Sequence, residues 1–304
     1  MKGTVAVVVT YNRLELLKEC LAALERETVP CNVFVVDNAS TDGTTEWLAE
    51  YVKSRKSVHC RTTERNVGGA GGFNLGIRWA TEAGYDFVWV MDDDCIPDER
   101  ALEELLAADR ELSGCYGFLS SRVLWRDGTL CTMNVQRKTP FKDNRDFDGK
   151  LVRIAMASFV SLFIPVPVVK KVGLPIKEFF IWTDDWEYTR RISRLYPCYL
   201  ANRSVVTHKS KVNAGADIAT ENADRLYRFN YLYRNDVCLY RREGLSGLIY
   251  ELLRLTWHSA RVILNAKGDK ILRLKTIWRG TAAGLAFAPA IEYVDEEHKP
   301  TYKL

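Results

Sequence analysis

Closely spaced cysteines are missing from this sequence. Its eight cysteines, at positions 20, 31, 60, 95, 115, 131, 198 and 238, are scattered with no C-x-x-C pair. Structural zinc needs clustered ligands and is therefore not expected. Dispersed thiols in a chain of this length fit a reducing, cytosolic setting in which cysteine is a small core residue. Long apolar runs are missing too. The uncharged stretch over residues 155–169 is broken by Pro165 and Pro167, and it falls short of the roughly 18 residues that span a bilayer. The first ten residues run from a β-branched stretch into a polar turn without a small-residue cleavage site, so no secretory leader is expected. No internal repeat or low-complexity segment is found.

What is present suffices for a full core. With 47% hydrophobic and 27% charged residues, a disordered or collagenous chain is excluded. At 304 residues there is room for one large α/β domain, alone or with an appended module. The formal net charge of +4 conceals an asymmetry. Residues 225–279 hold 12 Lys or Arg against 4 Asp or Glu, which leaves the rest of the chain net acidic.

The N-terminal half alternates strand and helix patterns. Residues 4–10 predict a buried strand, and 13–26 place Leu14, Leu17, Leu21 and Leu24 at helical spacing. Further strands are expected at 32–36, 58–63 and 86–91. Helices are expected at 42–54 with Ser40 or Thr41 as cap, from the glycines at 68–72 to about 83, and from Pro97 to about 112. Four β-α units in succession predict a parallel sheet with helices on both faces, whose ligands bind beyond the carboxyl ends of the strands. Polar residues gather at those ends: Thr10, Tyr11 and Asn12, then Asp37, then Asn66, then Asp92, Asp93 and Asp94. Residues 120–160 predict short antiparallel strands and a mobile loop at 139–149, and 158–165 a buried strand. A charged helix over 183–195 opens with Asp184 and Glu187 at capping-box spacing. A short strand then ends at His208, and helices at about 222–242, 245–266 and 268–287 precede a polar tail.

The three consecutive aspartates are the strongest chemical signal. In an extended chain Asp92 and Asp94 share a face while Asp93 points elsewhere. Such a pair suits Mg²⁺ or Mn²⁺ and leaves coordination sites for phosphate oxygens. The plain alternative is a solvated acidic turn. The glycines at 68–72 serve either tight helix–sheet packing or close approach of a ligand. They are not a dinucleotide fingerprint, since the spacing differs and they follow the third strand.

Five segments together carry a family resemblance: VVVTYNR at 7–13, VVDNASTDG at 35–43, RNVGGAGG at 65–72, MDDD at 91–94 and WTDDWE at 182–187. They resemble the motifs of family-2 glycosyltransferases with the GT-A fold, over about residues 4–210. The third and fifth resemble the bacterial galactofuranosyl- and rhamnosyltransferase branch. The resemblance implies a GT-A domain at 1–215, with a nucleotide-sugar half over about 1–120 and an acceptor half over about 121–215. A basic helical region follows at 216–304. Thr10, Tyr11, Asn12, Arg13 and Asp37 are implied to hold the nucleotide, with Asp37 accepting the uracil N3–H. Arg65, Asn66 and Gly69 are implied donor contacts. Asp92, Asp94 and His208 are implied to bind Mn²⁺ or Mg²⁺, with Asp92 and Asp93 also near the ribose or donor sugar.

The same resemblance implies a catalytic base at the start of the charged helix. The helix dipole would keep Asp184 and Asp185 ionised. Asp185 is preferred because Asp184, as a cap, would be occupied. Trp182 and Trp186 would offer apolar faces to an acceptor sugar. Inverting transfer is implied, from UDP-galactofuranose first and dTDP-rhamnose second, onto a glycan or lipid-linked acceptor in cell-envelope polysaccharide synthesis. The basic C-terminal helices are either a solvated face or a peripheral contact with anionic lipid on the inner face of the cell membrane. Nucleic acid is not expected, because no recognition motif accompanies the charge. Oligomeric state stays open. A nucleotidyltransferase and a non-catalytic glycan-binding scaffold are the rival readings.

Overall fold

The structure, a computed structural model, describes residues 2–295. Met1 and residues 296–304, which include His298 and much of the expected polar tail, lie outside the described residues. Strand β1 (Thr4–Thr10) is buried along its whole length. Its pleat sends Val5, Val7 and Val9 into one core and Ala6 and Val8 into another, so one strand faces two helical layers.

The chain continues through α1 (Leu14–Glu25), β2 (Asn32–Asp37), α2 (Thr44–Tyr51), β3 (Val58–Thr62), α3 (Gly68–Glu82) and β4 (Phe87–Asp92). Next come β5 (Cys95–Pro97), α4 (Ala101–Glu111), β6 (Leu119–Trp125), β7 (Arg137–Thr139), β8 (Lys142–Asp143), β9 (Leu151–Ile154) and β10 (Leu162–Pro165). Helices α5 (Val166–Val172) and α6 (Asp184–Ser193) precede β11 (Cys198–His208), and α7 (Tyr227–Arg241), α8 (Gly244–Asn265) and α9 (Lys270–Ala286) close the described chain. The main sheet has the order β3-β2-β1-β4-β10-β6-β11-β5, with β9 also on β11. Its first four strands are parallel, as the four β-α units predict. Register sets Thr10 beside Asp37 and Val9 beside Asp92, so the polar strand ends meet at one rim. Helix α3 lies close against β1: a Cβ on Gly76 would stand 2.3 Å from a Val7 methyl, and one on Gly72 2.6 Å from Val9.

Several local expectations are corrected. Neither Ser40 nor Thr41 caps α2; its cap is Gly43, and Asp42 accepts from the Thr44 N–H. Ser40 instead accepts from the Asn12 N–H, and the Thr41 N–H donates to Asn12, so this loop is tied to the end of β1. Pro97 closes β5 and does not open a helix, because residues 95–97 pair with β11, a partner invisible locally. The segment 139–149 begins in the β7–β8 hairpin, and Asn144 within it is buried with its N–H on the Gln136 carbonyl. The strand expected over 158–165 forms only from Leu162, and the one ending at His208 starts as early as Cys198. No capping box opens α6: Thr183 is the cap residue, without a side-chain cap bond, and Glu187 pairs with Arg191 and Arg242. Two guanidinium partners outweigh a single N–H for a buried carboxylate.

Candidate active site

Pairing of β11 with β5 sets His208 beside Cys95, and the Lys209 N–H donates to the Asp94 carbonyl. This delivers an imidazole from residue 208 to the acidic turn that ends β4. The chain leaves the strand after Asp92, and Asp92 senses Asp94 more strongly than it senses Asp93. Asp93 turns inward, accepting from Thr10 Oγ1 at 2.8 Å and from Arg13 at 3.2 Å. Arg13 also bonds Asp94 at 2.7 Å. Asp93 and Asp94 therefore share one guanidinium.

Electrostatics explain the protonation of the group. Burial and repulsion from Asp94 push Asp92 up to about 7. Burial likewise pushes Asp93 up to about 6 despite Arg13. Burial would raise Asp94 as well, but adjacent His208 and Arg13 outweigh it and hold Asp94 below its ordinary value. His208 is raised to about 10: burial opposes this, and its contacts with Asp94 and Cys131 and the charges of Asp94 and Asp92 prevail. Without a metal the imidazole is thus protonated, and Arg13 and His208 together balance the acids.

Asp94 Oδ1 is a telling atom. It is buried 3.2 Å from His208 Nε2, yet no hydrogen bond of acceptable direction reaches it. A carboxylate oxygen and a ring nitrogen facing each other this way fit a shared cation. Among the described residues no three ligating side chains are already arranged as a metal cluster. Asp94 and His208 could hold such an ion, with Asp92 close enough to sense both and with ligand oxygens completing the shell. His208 is also held from behind: Asn134 Oδ1 lies 2.7 Å from its Nδ1, and Asn134 donates to Ser158. An Nδ1–H donated to that oxygen leaves Nε2 as the coordinating atom. Nothing in the sequence around Asn134 marks this role.

The remaining nucleotide-side residues occupy the same rim with different exposure. Asp37 is fully buried, accepting from the Ser40 N–H at 3.0 Å and from the hydroxyls of Thr45 and Thr62. Its carboxylate is engaged by the junction of β2 and α2. Neighbouring Asn38 donates to the Gly68 carbonyl while its own Oδ1 is buried without a partner. Tyr11 and Arg65 are exposed, and Asn66 accepts from the Gly68 N–H. The two readings of the glycine cluster divide by position. A Cβ at Gly68 would meet the Phe180 carbonyl at 2.0 Å, whereas Gly69 faces open space.

The acidic pair lies across from this rim, close enough for Asp92 to raise Asp184. Asp184 is buried, and burial and Asp185 hold it well above the carboxylate range. Asp185 is half-buried and pushed up to about 7 by burial, against the Trp186 N–H it accepts at 2.7 Å. Desolvation of both carboxyls and repulsion on Asp184 from Asp185 thus oppose the dipole of α6 and raise both carboxyls. Asp184 is also not the cap that would occupy it. Trp182 packs edge-on against Phe229, and Trp186 lies under the Arg137 guanidinium at 4.7 Å.

The pair is aimed by an unusual backbone. Phe180, Trp182 and Thr183 all have left-handed φ, at 65°, 64° and 67°. Asn235 of α7 holds this run, donating to the carbonyls of Phe179, Ile181 and Trp182. Thr183 donates to Asp236 at 2.7 Å, and Asp236 pairs with Arg254 of α8. Neither α7 residue belongs to any of the five motifs.

The chain resembles known proteins in sequence and in fold. The chain is 28% identical over 285 residues to galactofuranosyltransferase GlfT1 of Mycolicibacterium smegmatis, covering 83% of this chain and 88% of the relative. It is 41% identical over 107 residues to an undecaprenyl-phosphate mannosyltransferase of Micrococcus luteus, covering 34% and 43%. Among solved structures, S. aureus TarS 1-349 in complex with UDP has a TM-score of 0.54 at 17% identity, covering 95% of this chain and 73% of that one. The Pyrobaculum calidifontis mannosyltransferase PcManGT, in complex with GDP-Man and Mn²⁺, has a TM-score of 0.56 at 18% identity, covering 94% and 76%. These likenesses establish the GT-A fold. The model of glycosyl transferase family 2 matches residues 5–160, from the first strand through the acidic turn and on toward β10, and the chain belongs to that family.

Proposed function

We propose that this glycosyltransferase inverts the anomeric centre as it moves galactofuranose from UDP-galactofuranose to a hydroxyl of a glycan or lipid-linked acceptor. The carrying observation is the proximity of two acidic groups: Asp92, Asp93 and Asp94 with Arg13 and His208 on the donor rim, and the Asp184–Asp185 pair, whose Asp184 senses Asp92. The galactofuranosyltransferase relative, similar over most of the chain, favours that donor. The undecaprenyl-phosphate relative favours a lipid-linked acceptor.

On this reading the β1 turn and the loop after β2 seat the nucleotide, and Gly69 allows backbone approach beside it. Asp94 and His208, with Asp92, would hold Mn²⁺ or Mg²⁺. When bound, the ion neutralises charge that develops on the diphosphate as the glycosyl bond breaks. Arg13 keeps the acids aligned. Asp185, partly accessible and titrating near neutrality, takes the acceptor proton as the oxygen attacks. The apolar faces of Trp182 and Trp186 orient the acceptor ring.

Asp185→Asn tests the assignment. Donor binding, measured by calorimetry with UDP-galactofuranose and Mn²⁺, should stay within about twofold, while transfer falls by roughly 10²–10⁴-fold. Transfer at the wild-type rate would move the base elsewhere. Tighter binding of dTDP-rhamnose than of UDP-galactofuranose would replace the donor.

A further inference from the structure

Helix α8 is amphipathic in the reverse sense to a helix that faces water. Every charged residue in it is buried or half-buried. Glu251 and Arg254 bond each other, Arg254 reaches Asp236, and Arg261 pairs with Asp217 at 2.6 Å. The outward face is apolar instead. Leu245, Ile249, Leu252, Leu253, Trp257 and Leu264 recur at helical spacing and are each 51–78% exposed. Helix α9 continues the patch with Ile271 and Leu285, 71% and 72% exposed, and with half-exposed Trp278. Isolated exposed leucines are ordinary, but a continuous face of this kind marks a contact.

Charge decides the partner. Lys267, Lys270, Lys275 and Arg279 are all exposed on the connection and on α9, which contains no acidic residue; Asp269 alone opposes them. A second copy of this face would bring those cations together. An anionic headgroup layer would answer them, with Trp257 and Trp278 at the depth such rings prefer. No described helix is long and apolar enough to cross a membrane. We propose that the outward faces of α8 and α9 dock the protein on an anionic lipid bilayer, with α8 lying along the boundary between headgroups and acyl chains. The docking helix is also joined to the acidic pair, through Arg254 to Asp236 and Asp236 to Thr183. If the transfer reading above holds, this places a lipid-borne acceptor beside Asp185; the docking surface itself does not depend on it.

The test uses the full chain and co-sedimentation with two kinds of vesicle: phosphatidylcholine alone, and phosphatidylcholine with about a third phosphatidylglycerol. Binding should be strong only to the anionic vesicles. It should weaken about tenfold or more in Leu253→Glu/Leu264→Glu and in Lys270→Glu/Lys275→Glu. All four positions are exposed, so both variants should keep the wild-type circular-dichroism melt. No binding to anionic vesicles, or equal binding to neutral ones, overturns the proposal. So does a dimer in light scattering that Leu253→Glu/Leu264→Glu dissolves while vesicle binding is unaffected. UDP binding measured in parallel separates the two claims: its loss with vesicle binding intact sinks only the transfer reading.

Discussion

Glu27, just after α1, keeps its carboxylate almost out of water, accepting the Leu102 N–H at 3.1 Å through one oxygen while the other has no partner. Burial pushes it up to about 7, and Asp98, Glu103 and Glu99 add repulsion. The sign follows from proton counts. Between the ordinary value of 4.5 and about 7 the folded state holds more protons than the unfolded one, so stability falls as pH rises through that window. Glu27→Gln keeps the acceptor and removes the charge. It should raise stability by about 1–2 kcal/mol at pH 8 and leave it unchanged near pH 4. Urea melts at the two pH values check this, and equal shifts at both would rule out ionisation as the cause. At the active site the same scale shows what a motif conveys. Asp92, Asp93 and Asp94 announce themselves as three acids in a row. Their division of labour depends on Thr10, Arg13 and His208, which come from elsewhere in the chain.

At the level of elements, the segment before α6 stores strain. Three non-glycine residues in left-handed conformation cost on the order of 1–3 kcal/mol each and persist only where neighbours over-determine them. Asn235, fully buried, is that neighbour, since its amide serves three carbonyls of the run. Asn235→Ala should lower stability by about 2–4 kcal/mol through unpaired buried carbonyls. As a positioning change it should also lower kcat about tenfold while the donor KM moves less than about twofold. Asn235→Asp preserves size but not the donors and should behave alike. Wild-type kcat in the aspartate variant would show that the amide does not aim the acidic pair.

Across the whole molecule, the C-terminal helices brace the site. Besides Asn235 and Asp236, Arg242 pairs with Glu187, and Glu243 binds Arg190 and Arg194 of the acidic helix region. The chain then returns, with Glu292 on Arg78 and Lys177. A fragment ending at residue 215 would lose every one of these partners and bare the surfaces that α7 covers. It should melt without cooperativity or aggregate, as followed by circular dichroism and size-exclusion chromatography. A fragment with a sharp, near-native transition would instead make the two regions independent domains.

By itself the sequence determined the β-α alternation, the two-faced sheet, the polar strand ends and the family, because each is written in local periodicity or in contiguous motifs. Hydrophobic spacing needs no knowledge of distant neighbours. The tertiary structure alone decided that Asp93 turns inward to Thr10, that Pro97 belongs to a strand, that His208 is backed by Asn134, and that Asn235 holds the run before Asp184. Each depends on groups brought together from remote parts of the chain, where pairing and desolvation override local propensity. The same holds for α8: only packing against α7 and α9 shows that an apolar stripe faces outward and the charges inward.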